Sequence, residues 1–303
     1  MAKLMRLARP HFLIAGLLLF VFGASWAILL GAPFSLPRLL LGYLVVLPAH
    51  LSVSYSNDYF DVEVDRFSVP TLFSGGSGVL VDHPELRKPA RWIAVALMLC
   101  SLVLGVLFLA TYAYPFWFLG YVLAGNLLGW FYSAPPLRLA YRGLGELSTA
   151  VTAGLLVPGM GYLVMRGYLN REGLLFAIPL MLYGLAFILI VEIPDEEGDR
   201  LGNKRTVVAR KGRGFGFTMI GVLCFLATAY FFCLPWLCSR PYPLDFRLLG
   251  FLSLLPLGAG VVGMLKRPGQ RQPATRIVNG MLVTLAGFLA LADGYLVYLA
   301  ARL

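Results

Sequence analysis

Charge is scarce in this chain. Only 13% of its 303 residues are Asp, Glu, Lys or Arg, roughly half the share found in soluble domains. That shortage excludes an ordinary soluble enzyme and a disordered chain. A nucleic-acid binder is excluded too, although the formal net charge is +10. Cysteine is also sparse. Cys100, Cys224, Cys233 and Cys238 all fall in apolar stretches with neither metal-ligand nor redox spacing, so they read as small hydrophobes. There is no soluble domain, low-complexity run or heptad. What the chain has instead is apolar length: 59% hydrophobic residues and a mean hydropathy of +0.79.

A membrane span needs roughly 20 apolar residues. Nine stretches qualify, at about 12–32, 38–56, 92–112, 115–132, 144–165, 173–193, 214–238, 248–265 and 277–300. The sequence therefore predicts one all-α polytopic domain over residues 1–303, with nine transmembrane helices. The first stretch is longer than the apolar core of a signal peptide and is expected to be retained. With nine spans, 19 of the 25 Lys and Arg residues fall on the side of the N-terminus and six on the other. By the positive-inside rule the N-terminus is cytoplasmic. The net charge then reflects orientation.

The acids gather in two windows, both at cytoplasmic span ends. In the first, Asn57, Asp61 and Asp65 recur at i, i+4, i+8. If the second span continues as a helix, their oxygens stack along one face. Such a row repels itself unless a cation sits within it, and Mg²⁺ prefers oxygen ligands completed by waters or phosphates. The alternative is a solvated acidic loop, but Tyr59, Phe60, Val62 and Val64 interleave the acids. In the second window Asp195 and Asp199 are again i, i+4, and Glu192 lies just inside a span. An acid there is costly and marks a functional position. Glu196 and Glu197 are expected to be solvated. A third element, Tyr132-Ser-Ala-Pro-Pro-Leu-Arg138, ends the fourth span, because Pro-Pro cannot continue a helix. Arg138 and Arg142 follow on the same side and could bind diphosphate oxygens. As an alternative they are simple anchors, and Tyr132 could be an interfacial belt residue.

Asn-Asp-x-x-Asp-x-x-x-Asp, a second Asp-x-x-x-Asp followed by Gly202, Lys204 and Thr206, and Tyr-Ser-x-Pro-Pro-x-Arg together resemble the UbiA superfamily of intramembrane prenyltransferases. The resemblance covers nearly the whole chain. It implies a helix bundle around a central cavity that opens to lipid, with Mg²⁺-diphosphate sites at the cytoplasmic end. The ladder carries over onto Asn57, Asp61 and Asp65, with Asp58 adjacent, and the second motif onto Asp195 and Asp199. These five ligands would hold Mg²⁺, with Asp61 and Asp195 indispensable. Tyr132, Arg138, Arg142, Lys204 and Arg205 would meet the polyprenyl diphosphate. Asp58 and Glu192 are candidate bases.

Two positions depart from the family pattern. Many members have an arginine a turn or two before the first motif, where this chain has His50 and Ser54. His50 either replaces that cation or is a buried hydrogen-bonded histidine. Many members also carry a lysine where Ala140 stands. The segments Tyr141–Glu146 and Asp195–Arg210 look like the branch that prenylates 1,4-dihydroxy-2-naphthoate for menaquinone. That branch usually has asparagines where Val191, Glu192 and Ile193 stand. The other acceptors are 4-hydroxybenzoate, homogentisate, a chlorin or a glycerol-phosphate lipid. A cation-coupled transporter is the alternative of another class, but it would place its acids near the midplane. The bilayer is the expected partner, with no nucleic acid and no obligate protein.

Two features stand apart. The run Ser74–Gly78 could form an amide nest for phosphate, a loop that closes over the site, or a plain turn. Asp293, toward the outer end of the ninth span, is expected to make a structural hydrogen bond to Asn126 or a backbone group.

Overall fold

The computed structural model describes residues 2–71, 73–237 and 242–303, which contain helices and no strand. Cys238 and Arg240 lie outside the described residues. The helices run in the order α1 (Ala2–Leu7), α2 (Pro10–Leu29), α3 (Leu36–Asp65), α4 (Val79–Asp82), α5 (Arg87–Tyr112), α6 (Trp117–Ser133) and α7 (Gly145–Val151). After a π turn at Thr152–Leu156 come α8 (Val157–Arg166), α9 (Ala177–Glu192), α10 (Glu196–Leu201), α11 (Val207–Lys211) and α12 (Arg213–Leu237). The bundle closes with α13 (Phe246–Leu252), α14 (Leu254–Lys266) and α15 (Arg271–Ala300).

Among the described residues, eight helical stretches are long and apolar enough to cross a membrane. The expected fourth span is α6, which has 17 residues. At 1.5 Å per residue it is about 25 Å long, a little short of a roughly 30 Å hydrocarbon core. Length and composition alone thus mark eight stretches and do not confirm the ninth, while α6 packs into the bundle against α3 and α5.

Lipid offers no hydrophobic drive to bring helices together, so close contact depends on small residues. The α2–α8 crossing shows this. A Cβ on Gly161 would fall 1.9 Å from the Phe20 carbonyl oxygen, and one on Gly23 would fall 1.7 Å from that of Pro158. Large side chains then fill the interior, including Phe20, Trp26, Phe217 and Phe288, all essentially inaccessible. Outside, α5 exposes Val103, Val106 and Leu107. Such a band would drive association in water and is the required surface in a bilayer.

The length of α3 positions the site. Its 30 residues span about 45 Å, so its last turns project beyond a roughly 30 Å core. Asn57, Asp61 and Asp65 ride on those turns. At the bundle's other elements, Asp293 departs from expectation. Both its oxygens are buried without a hydrogen-bond partner. Asn126 spends its amide on Ser101 Oγ (3.1 Å) and the Val122 carbonyl (2.9 Å) instead.

Candidate active site

One cavity of about 510 Å³ opens among the ends of α3, α9 and the segment after α10. The helical ladder forms along α3, and His50, Ser54, Asn57, Asp61 and Asp65 all line the cavity. Glu192, Asp195, Asp199, Lys204 and Tyr132 line it too. The two acid clusters thus face a common space. Deeper in, the lining becomes apolar, with residues such as Leu19, Val46 and Leu285.

Asp61 is the hub. Its Oδ1 accepts from the Tyr141 hydroxyl at 2.8 Å, and its Oδ2 accepts from Ser133 Oγ and from Lys204 Nζ, both at 3.0 Å. The pair is well buried, with side-chain exposures of 7% for Asp61 and 14% for Lys204. Burial by itself pushes the Lys204 ammonium down, but Asp61 and Asp199 more than offset it and hold its pKa well above the usual lysine range. A fixed positive charge therefore stands beside the ladder. Ser133 reaches Asp61 because Pro135 and Pro136 end α6 immediately after it. Tyr141 reaches Asp61 from a 3₁₀ turn at Leu139–Arg142.

In the second cluster, Asp195 Oδ2 accepts from the Gly75 N–H at 2.8 Å, while Oδ1 is buried without a partner. Asp199 Oδ2 accepts from Thr206 Oγ1 at 3.1 Å. Thr206 also caps α11 by accepting from the Ala209 N–H. Both oxygens of Glu192 are buried without a hydrogen-bond partner, and the side chain lines the cavity. Glu196 and Glu197 stand outside the lining, ion-paired with Arg200 and Arg213.

The Ser74–Gly78 run crosses between the clusters. Besides the Gly75 contact to Asp195, Ser77 donates both its N–H, at 3.2 Å, and its hydroxyl to Asp58 Oδ2. Gly76 has φ +67° and lies against the Asp65 carboxylate. Two amides of the run are therefore spent on protein carboxylates, and the segment is a loop closed over the site.

Not every candidate reaches the cavity. Arg138 lies over the Tyr141 ring, 3.8 Å from its centroid. Arg142 donates to the Pro136 carbonyl at 2.9 Å, and Arg205 is exposed. None of the three lines the cavity. His50 does, packed against Gly16 of α2. Arg9, Ser77, Ser133, Tyr141 and Thr206 hold the acids in place and were not singled out from sequence as site residues. In the sequence Arg9 counts only among the 19 basic residues on the N-terminal side, and its contact with Asp58 spans 49 residues.

The donor set suits a hard cation. It consists of oxygens only, and Asn57 Oδ1 and Asp195 Oδ1 are buried and unpartnered. Among the described residues no three acids, histidines or cysteines converge closely enough to hold a metal by themselves. Mg²⁺ takes one or two carboxylates and completes its shell with water and substrate phosphate.

The family model described as the UbiA prenyltransferase family matches residues 17–286. The chain is 26% identical over 222 residues to a 1,4-dihydroxy-2-naphthoate octaprenyltransferase of Bacillus subtilis, covering 72% of this chain and 68% of that one. It is 27% identical over 281 residues to a digeranylgeranylglyceryl phosphate synthase of Archaeoglobus fulgidus, covering 90% of each. In fold it resembles the solved structure of a UbiA homolog from Archaeoglobus fulgidus bound to DMAPP and Mg²⁺. The TM-score is 0.71 at 16% identity, over 99% of this chain and 100% of that one. The chain belongs to the UbiA prenyltransferase family and is an integral membrane prenyltransferase.

Proposed function

We propose that the protein transfers a polyprenyl group from an allylic diphosphate to an aromatic acceptor at the cytoplasmic face, with 1,4-dihydroxy-2-naphthoate the favoured acceptor. The observation that carries this reading is one shared cavity with both acid clusters and Lys204 at one end and apolar walls at the other. The prenyl tail would occupy the apolar part and the diphosphate the charged part. Asn57, Asp61, Asp65, Asp195 and Asp199 would hold Mg²⁺, whose positive charge would offset the negative charge that develops on the leaving diphosphate.

The chain's own groups then divide the work. As the C1–O bond breaks, its electron pair stays with the diphosphate, and the Lys204 ammonium stabilises that charge without reorganising. Tyr141 and Ser133 orient Asp61 by their hydrogen bonds. Phe12 lies edge-on to Phe73 and Phe187, with ring centroids 6.3 and 6.0 Å away, and all three rings line the cavity. Aromatic faces stabilise an allylic cation. The acceptor ring supplies the electron pair of the new C–C bond, and Glu192 takes the proton. Its two unpartnered oxygens make it the better-placed base than Asp58, whose oxygens are already engaged.

The relative that acts on a glycerol-phosphate lipid matches more of the chain than the naphthoate enzyme does. A hydroxyl-bearing lipid acceptor is therefore the second reading. Mass spectrometry of products decides between them, using purified protein, one allylic diphosphate, Mg²⁺ and a panel of acceptors. Prenylated naphthoate supports the first reading, and an ether lipid with no aromatic product replaces it with the second.

A further inference from the structure

Asp58 is adjacent to the ladder but is used differently. Its Oδ1 is ion-paired with Arg9, and its Oδ2 accepts both the Ser77 N–H and the Ser77 hydroxyl. The carboxylate is only 2% exposed. Three donors from two other segments therefore converge on it. One segment is the N-terminal arm. Its Leu7 is fully buried in an apolar cluster with Tyr55, Val62, Val79 and Leu80, and the Leu4 carbonyl accepts from the Tyr55 hydroxyl at 3.0 Å. The other is the Ser74–Gly78 loop, which continues to Asp195 through the Gly75 N–H.

We infer that Asp58 is a positioning residue. Through Arg9 and Ser77 it joins the N-terminal arm to the loop, and it holds the loop across the cavity so that water is kept from the allylic cation. This rests on the proton and prenyl chemistry proposed above. A loosened loop admits a competing reaction. Once the C1–O bond has broken with its electron pair on the diphosphate, water's oxygen bonds to C1 and its proton passes to the diphosphate. The product is then the free prenyl alcohol in place of a prenylated acceptor.

Two measurements on Arg9→Gln, Asp58→Asn, Ser77→Ala and Ser77→Thr test it. Ser77→Ala deletes a single hydroxyl, so it is the variant safest for folding. The first is hydrogen exchange of the loop amides by mass spectrometry, which does not depend on the assigned reaction. Losing one charge-assisted hydrogen bond should speed exchange at residues 73–78 on the order of tenfold in the first three variants. Ser77→Thr, which keeps the hydroxyl, should stay near wild type. The second is the ratio of prenyl alcohol to prenylated acceptor at saturating acceptor, expected to rise about tenfold or more in the same three. Unchanged loop exchange in all three variants overturns the inference whatever the reaction proves to be. Faster exchange with no prenylated product from the wild type overturns the assigned reaction and leaves the clamp standing. Loss of transfer in Asp58→Asn, with wild-type exchange and product ratios in Arg9→Gln and Ser77→Ala, would make Asp58 the base and overturn the positioning role.

Discussion

The Lys204 ammonium lies 3.0 Å from Asp61 Oδ2 although 143 residues separate the two. This contact ties the second motif's segment to the first motif's ladder and places a permanent cation inside the cavity. Removing one member of a buried pair leaves the other charge uncompensated, at a cost of about 3–5 kcal/mol. Lys204→Met should therefore lower stability by about that amount and reduce transfer by about 100-fold or more. Thermal unfolding in detergent together with steady-state kinetics checks both. The double variant Lys204→Met/Asp61→Asn should be destabilised less than the sum of the two single variants.

The pair also sets a pH expectation. The folded-state pKa of Lys204 is raised, so the stability it contributes is fully present below the unfolded lysine value, about 10.4. That stability is lost only as pH rises through the higher folded value. The difference in Tm between wild type and Lys204→Met should accordingly not shrink from about pH 6 to 9. A difference that shrinks steadily over that range would contradict the raised value.

Tyr141→Phe removes one hydrogen bond to a charged group and keeps the ring under Arg138. A loss of about 1.5–3 kcal/mol is expected. The fall in turnover should be clearly smaller than for Lys204→Met, because the charge beside the diphosphate remains. Equal losses in the two variants would show that orientation of Asp61, more than charge, limits the rate.

Gly76→Ala meets two obstacles at once. The backbone has φ +67°, and the new Cβ would sit 2.1 Å from Asp65 Oδ2. An L-residue in this region costs about 1–2 kcal/mol before any clash is counted. The loop and Asp65 must both shift, so KM for the diphosphate should rise. A variant with wild-type KM and Tm would show that the loop has another conformation available.

Much of this was legible in the sequence for physical reasons. The spacing of Asn57, Asp61 and Asp65 matches the helical repeat, and α3 does continue through them. Pro135 and Pro136 end α6 as proline must. What was not legible depends on tertiary contact. Arg138, Arg142, Lys204 and Arg205 are alike in sequence as cations on one side of the membrane, and only packing shows that Lys204 alone of the four lines the cavity. The engagement of Asp58 by Arg9 and Ser77 joins segments 49 and 19 residues distant, and no local periodicity encodes it. Asp293 shows the same limit, since a buried acid in a span signals a partner without naming one, and here its oxygens have none.

In the proposed reaction the two acid clusters act together, through Mg²⁺, on one allylic diphosphate. The most direct measurement is product formation by purified wild type, Asp61→Ala and Asp195→Ala, each assayed with Mg²⁺, with excess EDTA, and after Mg²⁺ is restored. Wild type should transfer the prenyl group, stop in EDTA and recover with Mg²⁺, while both variants should fall by at least about 1,000-fold under every condition. Prenylated product formed at the wild-type rate by either variant in excess chelator would contradict the account.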